Sequence, residues 1–280
     1  MSIIQSIQTG VTPAGIRMVI GAQEKLGKTT LCSMAPQPLL IPVEVGFAGV
    51  NMAKTPMLQY WGHVLQLLEE LTAGYAAGQV PYRTLCFDSA TAIERMIHDY
   101  ILRLDPASQG GKKKTVTMES CHGGYGKGYT MANMEFDKFL KACDILSVQF
   151  GVNIVLTAHV FSAKIMDPTS GEYDSWDLLL HSPKNNKTYG KREMITQWAD
   201  VIGFLYEPIF VSAAEGKSNL SRGMSQNKGR VLGVSRTPAY IAGNRYGMTG
   251  EIPIPAPPAN GWNYLAEAIY KTCGIDIYTR

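Results

Sequence analysis

The chain has 280 residues, of which 45% are hydrophobic and 18% are charged. This composition is typical of a globular protein and excludes a disordered or fibrous one. The formal net charge of +3 is too small to indicate a nucleic-acid partner by itself. No apolar run reaches the roughly 18 residues that a membrane helix needs, and residues 1–10 lack the layout of a signal peptide. We therefore expect a cytoplasmic protein with no membrane partner.

Apolar runs of strand length alternate with segments of helical period, which predicts a mostly parallel sheet covered by helices. The predicted strands are residues 16–20, 38–44, 82–90, 152–160 and 198–207. The predicted helices are residues 28–34, 60–74, 92–102 and 136–146. After residue 230, short apolar runs alternate with turns and predict antiparallel strands appended to the sheet. Because the sequence has neither an internal repeat nor an obvious linker, we predict one domain over residues 1–280, with its core at about 14–255.

Two long polar stretches, residues 104–128 and 161–192, interrupt this pattern and are predicted to be loops. Loops of such length in a compact domain are usually functional or disordered. The five cysteines lie far apart without a C-x-x-C pair, which predicts reduced thiols. Cys121 and His122 are neighbours, but no second pair follows at metal spacing, so we expect no zinc site.

The segment "AQEKLGKTT", residues 22–30, joins the first predicted strand to the first predicted helix. Its ending fits the Walker A phosphate loop, although Ala22 stands where a glycine is usual. In such a loop the backbone N–H groups hold phosphates, Lys28 reaches the β- and γ-phosphates, and Thr29 holds Mg²⁺. The alternative is an ordinary strand-to-helix turn with a surface lysine. The predicted nucleotide-binding residues are Ala22, Gln23, Glu24, Lys25, Leu26, Gly27, Lys28, Thr29 and Thr30.

Asp88 ends the third predicted strand, in "CFDSA". A carboxylate in this position can hold Mg²⁺ directly or through water, as the Walker B aspartate does. A helix-capping role is the alternative, because aspartate is also common at the start of helices. We predict that Thr29 and Asp88 together form the metal site.

These motifs resemble the RecA-type core that recombinases and hexameric helicases share, and in particular the phage-encoded RecA-like ATPases that anneal single strands. The resemblance runs from about residue 16 to residue 254 and is carried by "AQEKLGKTT", "IPVEVG", "CFDSATAI", "NIVLTAHV" and "GNRYGMTGEI". It implies an α/β fold with a RecA-type P-loop NTPase core, in which a mostly parallel twisted sheet is flanked by helices and followed by C-terminal antiparallel strands. It also implies an enzyme that hydrolyses ATP with Mg²⁺.

The resemblance assigns catalytic roles beside that of Lys28. Glu44 in "IPVEVG" matches the glutamate that activates water, and His159 matches the residue that senses the γ-phosphate, where RecA itself has glutamine. Arg245 matches a basic residue that reaches the nucleotide of a neighbouring subunit, although Gly243 replaces its companion lysine. Arg236 is a second candidate for that role. A capping or surface role for Glu44, and a core or edge role for His159, are the alternatives.

In a RecA-like core, two loops face the polymer axis, and the two long polar stretches fall at their positions. Lysines neutralise phosphates and tyrosines stack on bases, which together make a groove for single strands without sequence preference. A solvated run of charge is the alternative. The predicted DNA-binding residues are Lys112, Lys113, Lys114, Lys127, Tyr129, Lys184, Lys187, Lys191 and Arg192.

By this resemblance the protein is a DNA-stimulated ATPase that assembles as a ring or filament on single-stranded DNA. Its role would be strand annealing in phage recombination, in the host cytoplasm, with a single-strand-binding protein as a further partner. One alternative is a helicase-type ATPase or helicase loader with the same core. Another is a nucleotide-dependent assembly factor without significant hydrolysis.

Overall fold

The computed structural model describes residues 7, 9–10, 14–106, 116–183, 189–213, 221–225 and 229–278. The strands are β1 (Arg17–Gly21), β2 (Pro38–Pro42), β3 (Ala53–Lys54), β4 (Thr84–Asp88), β5 (Asn153–Ala158), β6 (Val160–Asp167), β7 (Gly171–Leu178), β8 (Val201–Tyr206), β9 (Ile209–Ala213), β10 (Ser221–Ser225), β11 (Arg230–Gly233), β12 (Gly243–Asn244) and β13 (Glu251–Ile254). The helices are α1 (Lys28–Ser33), α2 (Trp61–Ala76), α3 (Ala90–Leu104), α4 (Lys127–Phe150), α5 (Lys191–Trp198) and α6 (Gly261–Cys273).

A central sheet has the strand order β13-β11-β8-β1-β5-β4-β2-β3, and β12 also pairs with β8. The strands from β8 to β3 pair in parallel. β11 runs antiparallel to both β8 and β13. The predicted mostly parallel sheet with C-terminal antiparallel strands is therefore confirmed. Because β5 lies between β1 and β4, the strand before the phosphate loop does not pair with the strand that ends in Asp88.

Helices cover both faces of this sheet. Along β1, Val19 faces one core, whereas Met18 and Ile20 face the other, because strand side chains alternate in direction. The first core packs α2, α3 and α4 against the sheet, with Phe139 of α4 completely buried. The second packs α1 and α6, with Trp262 completely buried. Burial on both faces explains why these strands are continuous apolar runs in the sequence.

The second long polar stretch is not a loop over most of its length. It contains an antiparallel hairpin of β6 and β7, followed by the first residues of α5. Most β6 side chains are partly or fully exposed, so the strand lacks the apolar period on which strand prediction depends. The fifth predicted strand was too long at its start, because Trp198 ends α5 and the strand begins at Val201.

The first long polar stretch is also more ordered at its end than predicted. Cys121–Gly123 form a 3₁₀ turn, and α4 begins at Lys127 rather than near residue 136. α6, β3 and the β9–β10 pair were not predicted. Residues 107–115 of this stretch lie outside the described residues.

Candidate nucleotide-binding site

The polar residues singled out in the sequence meet at one edge of the sheet. The strands β1, β5, β4 and β2 run in the same direction, so their carboxyl ends meet there. The phosphate loop follows β1, His159 follows β5, Asp88 ends β4, and Glu44 follows β2. Ligands of open parallel sheets bind at this edge, so the topology itself assembles a candidate site.

The phosphate loop connects β1 to α1 and needs a left-handed backbone at Gly27, where φ is 87°. The Gly27 carbonyl accepts the first helical hydrogen bond, from Leu31 N at 2.9 Å. Ala22, at the first position of the motif, is completely buried, and its N–H donates to Ala158 O at 3.3 Å. Positive φ occurs at Lys25 and not at Ala22. The backbone at residue 22 therefore has no need of glycine, which explains why alanine is accepted there.

Lys28 is buried against its own loop. Its Nζ donates to Ala22 O at 2.9 Å and to Gln23 O at 3.1 Å. Burial lowers the pKa of the Lys28 ammonium, while the nearby carboxylates of Asp88 and Glu44 act in the opposite direction. The ammonium therefore lies inside the loop, close to both acidic strand ends, and a phosphate would replace two neutral carbonyls as its partner.

Asp88 accepts hydrogen bonds from two threonines. Thr29 Oγ1 donates to Oδ2 at 2.7 Å, and Thr157 Oγ1 donates to Oδ1. The cap of α3 is Ser89, whose Oγ accepts from Ala92 N at 3.2 Å, so Asp88 does not fill the alternative capping role. A hydroxyl and a carboxylate held together are oxygen ligands that suit Mg²⁺. The contact of Thr157 with Asp88 was not predicted. The sequence feature that could have indicated it is a polar residue near the end of an otherwise apolar strand.

Glu44 and His159 form a pair beside this group. His159 Nε2 donates to Glu44 Oε1 at 2.9 Å, and His159 N donates to Thr91 Oγ1 at 3.1 Å. Both side chains keep about a quarter of their surface exposed, 28% for Glu44 and 24% for His159. The carboxylate is thus oriented by an imidazole and still accessible to water, as a general base requires.

Arg230 also lies against the phosphate loop, and the sequence did not predict it. Its Nη1 donates to Leu26 O at 3.0 Å. The arginine reaches the loop because β11 runs antiparallel and begins at the edge where β1 ends. Only a knowledge of strand pairing could have revealed this contact, since nothing in the local sequence around residue 230 differs from an ordinary strand start.

Of the two predicted trans-acting arginines, Arg245 lies away from this site. Arg245 Nη1 donates to Asp200 Oδ1 at 3.0 Å, and Asp200 also pairs with Arg17, the first residue of β1. This cluster lies at the edge where β1 begins, opposite the phosphate loop. Arg236 is exposed in the segment after β11. Arg245 therefore cannot act on the nucleotide of its own chain from this position, and action of Arg245 or Arg236 on a neighbouring chain stays a prediction.

The predicted DNA-binding set is divided by the structure. Lys112, Lys113, Lys114, Lys184 and Lys187 lie outside the described residues. Lys127 is exposed at the start of α4, next to Tyr125, which is 99% exposed. Tyr129 is not open to a base on both faces, because its ring stacks on His181 with centroids 3.9 Å apart. One ring face is therefore already occupied, and stacking of Tyr129 on a base stays a prediction.

Lys191 and Arg192 are both paired with groups of their own chain. The Lys191 side chain is completely buried, with Nζ 3.7 Å from Glu94 Oε1 and 3.1 Å from Asn133 Oδ1. Burial lowers the pKa of Lys191 to about 8, against the opposite effect of Glu94. Arg192 forms ion pairs with Asp177 and Glu193. Both cations thus neutralise carboxylates of their own chain and present little charge to DNA in this conformation.

Asp105, Cys121 and His122 form a group whose potential ligand atoms lie within 4.8 Å of one another. Each side chain already has partners within the chain. His122 Nε2 lies 3.0 Å from Ile101 O, Cys121 Sγ donates to Met118 O at 3.4 Å, and Asp105 accepts from His122 N. Burial raises the pKa of the Cys121 thiol and disfavours the thiolate that binds metals.

The fold and this site define a P-loop nucleotide-binding protein. A family model described as an AAA domain matches residues 14–246, and the chain therefore belongs to the AAA domain family. This family indicates a nucleotide-hydrolysing ATPase domain, for which Mg²⁺ is the typical metal. No curated protein matches the chain. Among the described residues, no helix combines the length and the apolar character that crossing a membrane requires.

Proposed function

We propose that this protein hydrolyses ATP with Mg²⁺ at the edge where β1, β2, β4 and β5 end. The observation that carries the proposal is the convergence of five side chains at that edge: Lys28 in the loop, Thr29 bonded to Asp88, and Glu44 bonded to His159. Phosphate, metal and attacking water each have a matching group among these five. A strand-to-helix turn with a surface lysine would not need the other four.

The residues have separable tasks in this proposal. The loop N–H groups and Lys28 bind the phosphates, and Lys28 exchanges the carbonyls of Ala22 and Gln23 for phosphate oxygens. Thr29 and Asp88 hold Mg²⁺, which, when bound, supplies charge neutralisation at the phosphates. Glu44 orients a water and takes its proton, while the His159 hydrogen bond fixes the position of the Glu44 carboxylate.

We further propose that the ATPase acts on single-stranded DNA, assembles as a ring or filament, and anneals strands during phage recombination, aided by a single-strand-binding protein. The support is the RecA-type resemblance and the basic residues of the first long polar stretch, together with exposed Tyr125 and Lys127 near its end. A ring or filament would also give Arg236 or Arg245 a nucleotide on which to act, in a neighbouring chain. Such an arginine can contribute roughly 10³- to 10⁵-fold in rate.

The test is ATP turnover by the purified protein with and without single-stranded DNA. We expect Mg²⁺-dependent turnover that rises with DNA, and electron micrographs showing rings or filaments on DNA with a slowly hydrolysed ATP analogue. Turnover without DNA stimulation would contradict the recombination role while leaving the ATPase intact. Absence of turnover would favour a nucleotide-dependent assembly factor, and strand unwinding would favour a helicase-type motor.

The DNA contact itself is tested by removing the charge of Lys112, Lys113 and Lys114 together. Three fewer phosphate contacts should reduce the slope of log affinity against log salt by about 2 for a single strand. The matched control removes Lys138, Lys141 and Lys271, which are exposed on helices and paired with nearby carboxylates. Equal slopes in the two triple variants would contradict the assignment of the first polar stretch to DNA.

A further inference from the structure

Arg230 begins β11 and lies on the phosphate loop across the chain. Its guanidinium does more than touch the Leu26 carbonyl. A Cβ atom added at Gly27 would lie only 1.9 Å from Arg230 Nη1 and 3.1 Å from Cζ, so the guanidinium fills the space directly over the Gly27 backbone. The φ of 87° favours glycine at this position, and the absence of a side chain there leaves the space that the guanidinium occupies.

Two cations, Lys28 and Arg230, donate hydrogen bonds to opposite ends of the phosphate loop. Lys28 bonds to carbonyls at the start of the loop, Ala22 and Gln23, whereas Arg230 bonds to the Leu26 carbonyl at the end. No carboxylate pairs with Arg230 within the described parts of the chain. A guanidinium has five N–H donors in a planar fork that suits phosphate, and one neutral carbonyl uses only part of that capacity.

The position of Arg230 indicates which phosphates it would meet. The same added Cβ at Gly27 would lie 3.6 Å from Thr30 Oγ1, so the guanidinium is on the side where α1 begins. The backbone N–H groups of a phosphate loop hold the α- and β-phosphates, and Arg230 lies against the loop backbone itself. The γ-phosphate would instead lie near the Thr29–Asp88 pair and the Glu44–His159 pair, which are the proposed metal-binding and water-activating residues.

Building on the proposed nucleotide binding, we propose that Arg230 is a second, cis-acting phosphate-binding residue that contacts the α/β-phosphate part of a bound nucleoside diphosphate or triphosphate. It leaves the Leu26 carbonyl, or shares its donors with it, when phosphate enters the loop. This role differs from that of an arginine supplied by a neighbouring chain, which would act on the γ-phosphate during hydrolysis. Arg230 should therefore contribute to affinity for ADP as much as for ATP.

The experiment is calorimetric titration with ADP and with a non-hydrolysable ATP analogue, both with Mg²⁺, on wild type, Arg230→Gln, Arg230→Lys and the exposed-charge control Lys271→Gln. Glutamine keeps an N–H donor for the Leu26 carbonyl but has no charge. We expect Arg230→Gln to weaken both ligands about 10- to 100-fold, Arg230→Lys to recover most of that loss, and the control to bind like wild type.

Equal binding by Arg230→Gln and wild type would overturn the inference and leave Arg230 as a loop-holding residue. A loss confined to the ATP analogue would overturn the α/β assignment. A wild type that binds neither ligand would instead contradict the proposed function. A measurement on wild type avoids any folding defect: ADP should protect Arg230 from phenylglyoxal, read by peptide mass spectrometry, and unchanged reactivity would contradict the contact.

Discussion

Thr29 donates a hydrogen bond of 2.7 Å to Asp88, a residue 59 positions further along the chain. The two residues come from α1 and from the end of β4, although β5 separates β4 from β1 in the sheet. The close contact of a hydroxyl with a carboxylate leaves a ready pair of oxygen ligands where a metal would sit beside the phosphates. The pair therefore supports a direct test of metal dependence.

We expect Mg²⁺ to increase the ATP affinity of wild type but not that of Asp88→Asn, because a neutral amide oxygen is a weaker Mg²⁺ ligand than a carboxylate. The measurement is nucleotide affinity with Mg²⁺ and with EDTA. Asp99→Asn, which removes an exposed charge from α3, serves as the control and should keep the full gain. A normal Mg²⁺ effect in Asp88→Asn would contradict the metal site.

Lys28→Ala should weaken ATP and ADP binding by about 100-fold or more, because it removes the charged donor inside the loop. The thermal midpoint of unfolding should stay close to that of wild type. The variant loses the hydrogen bonds to two carbonyls but also loses a buried charge, and burial already lowers the pKa of that charge. Lys54→Ala is the matched lysine control on an exposed strand. Affinity within tenfold of wild type would argue against phosphate binding by this loop.

Glu44→Gln should lower the ATP turnover number by about 10²- to 10⁴-fold while leaving ATP affinity nearly unchanged, because a general base acts on the chemical step. His159→Gln should have a smaller effect. Since the two side chains share a hydrogen bond, the double variant should lose much less than the product of the two single effects. Independent, multiplicative losses would show that the pair does not act together.

Asp200→Ala should lower the free energy of unfolding by about 1–3 kcal/mol, because it removes the charged acceptor of several hydrogen bonds from the partly buried Arg17 guanidinium. Asp200 accepts from Arg17 N, Nε and Nη2 as well as from Arg245 Nη1. Arg245→Ala should cost less, since the Arg245 side chain is 53% exposed and Arg17 remains. Urea unfolding measures both. An Arg245→Ala variant less stable than Asp200→Ala would contradict this order.

Acid should destabilise the protein in part through His98. Burial lowers the pKa of His98 to about 3, with Lys191 and His181 acting in the same direction. The unfolded chain then binds more protons between that value and the ordinary pKa of about 6.5, so the free energy of unfolding falls as pH decreases through this window.

We expect the His98 contribution to be roughly 2–3 kcal/mol between about pH 7 and about pH 4. It is measured by comparing how the free energy of unfolding varies with pH in wild type and in His98→Gln. Glu94, whose pKa burial raises, acts in the opposite direction in both proteins, which is why the comparison uses the difference. Parallel stability curves for the two proteins would contradict a protonation of His98 on unfolding.

The sequence predicted the parts of this molecule that follow from local pattern. Continuous apolar runs identified five of the six parallel strands within a few residues, and the resemblance to RecA-type cores implied that Glu44, Asp88 and His159 would lie around one nucleotide. What it missed depends on partners distant in the chain. Lys191 resembles a surface lysine until Glu94 and Asn133 surround it, and Arg230 reaches Leu26 only through an antiparallel strand order.

A single residue, His159, connects β5 to the β6–β7 hairpin. At its base, Leu179 N donates to His159 O at 2.8 Å, and Val160 and Leu178 pack so closely over Gly21 that a Cβ there would meet both. The eight residues of β6 span about 26 Å. A tilt of roughly 5° at the base would swing the far end by about 2 Å by geometry alone. A displacement of the hairpin would therefore be transmitted at its base to the His159 backbone and to the strand that leads into the phosphate loop.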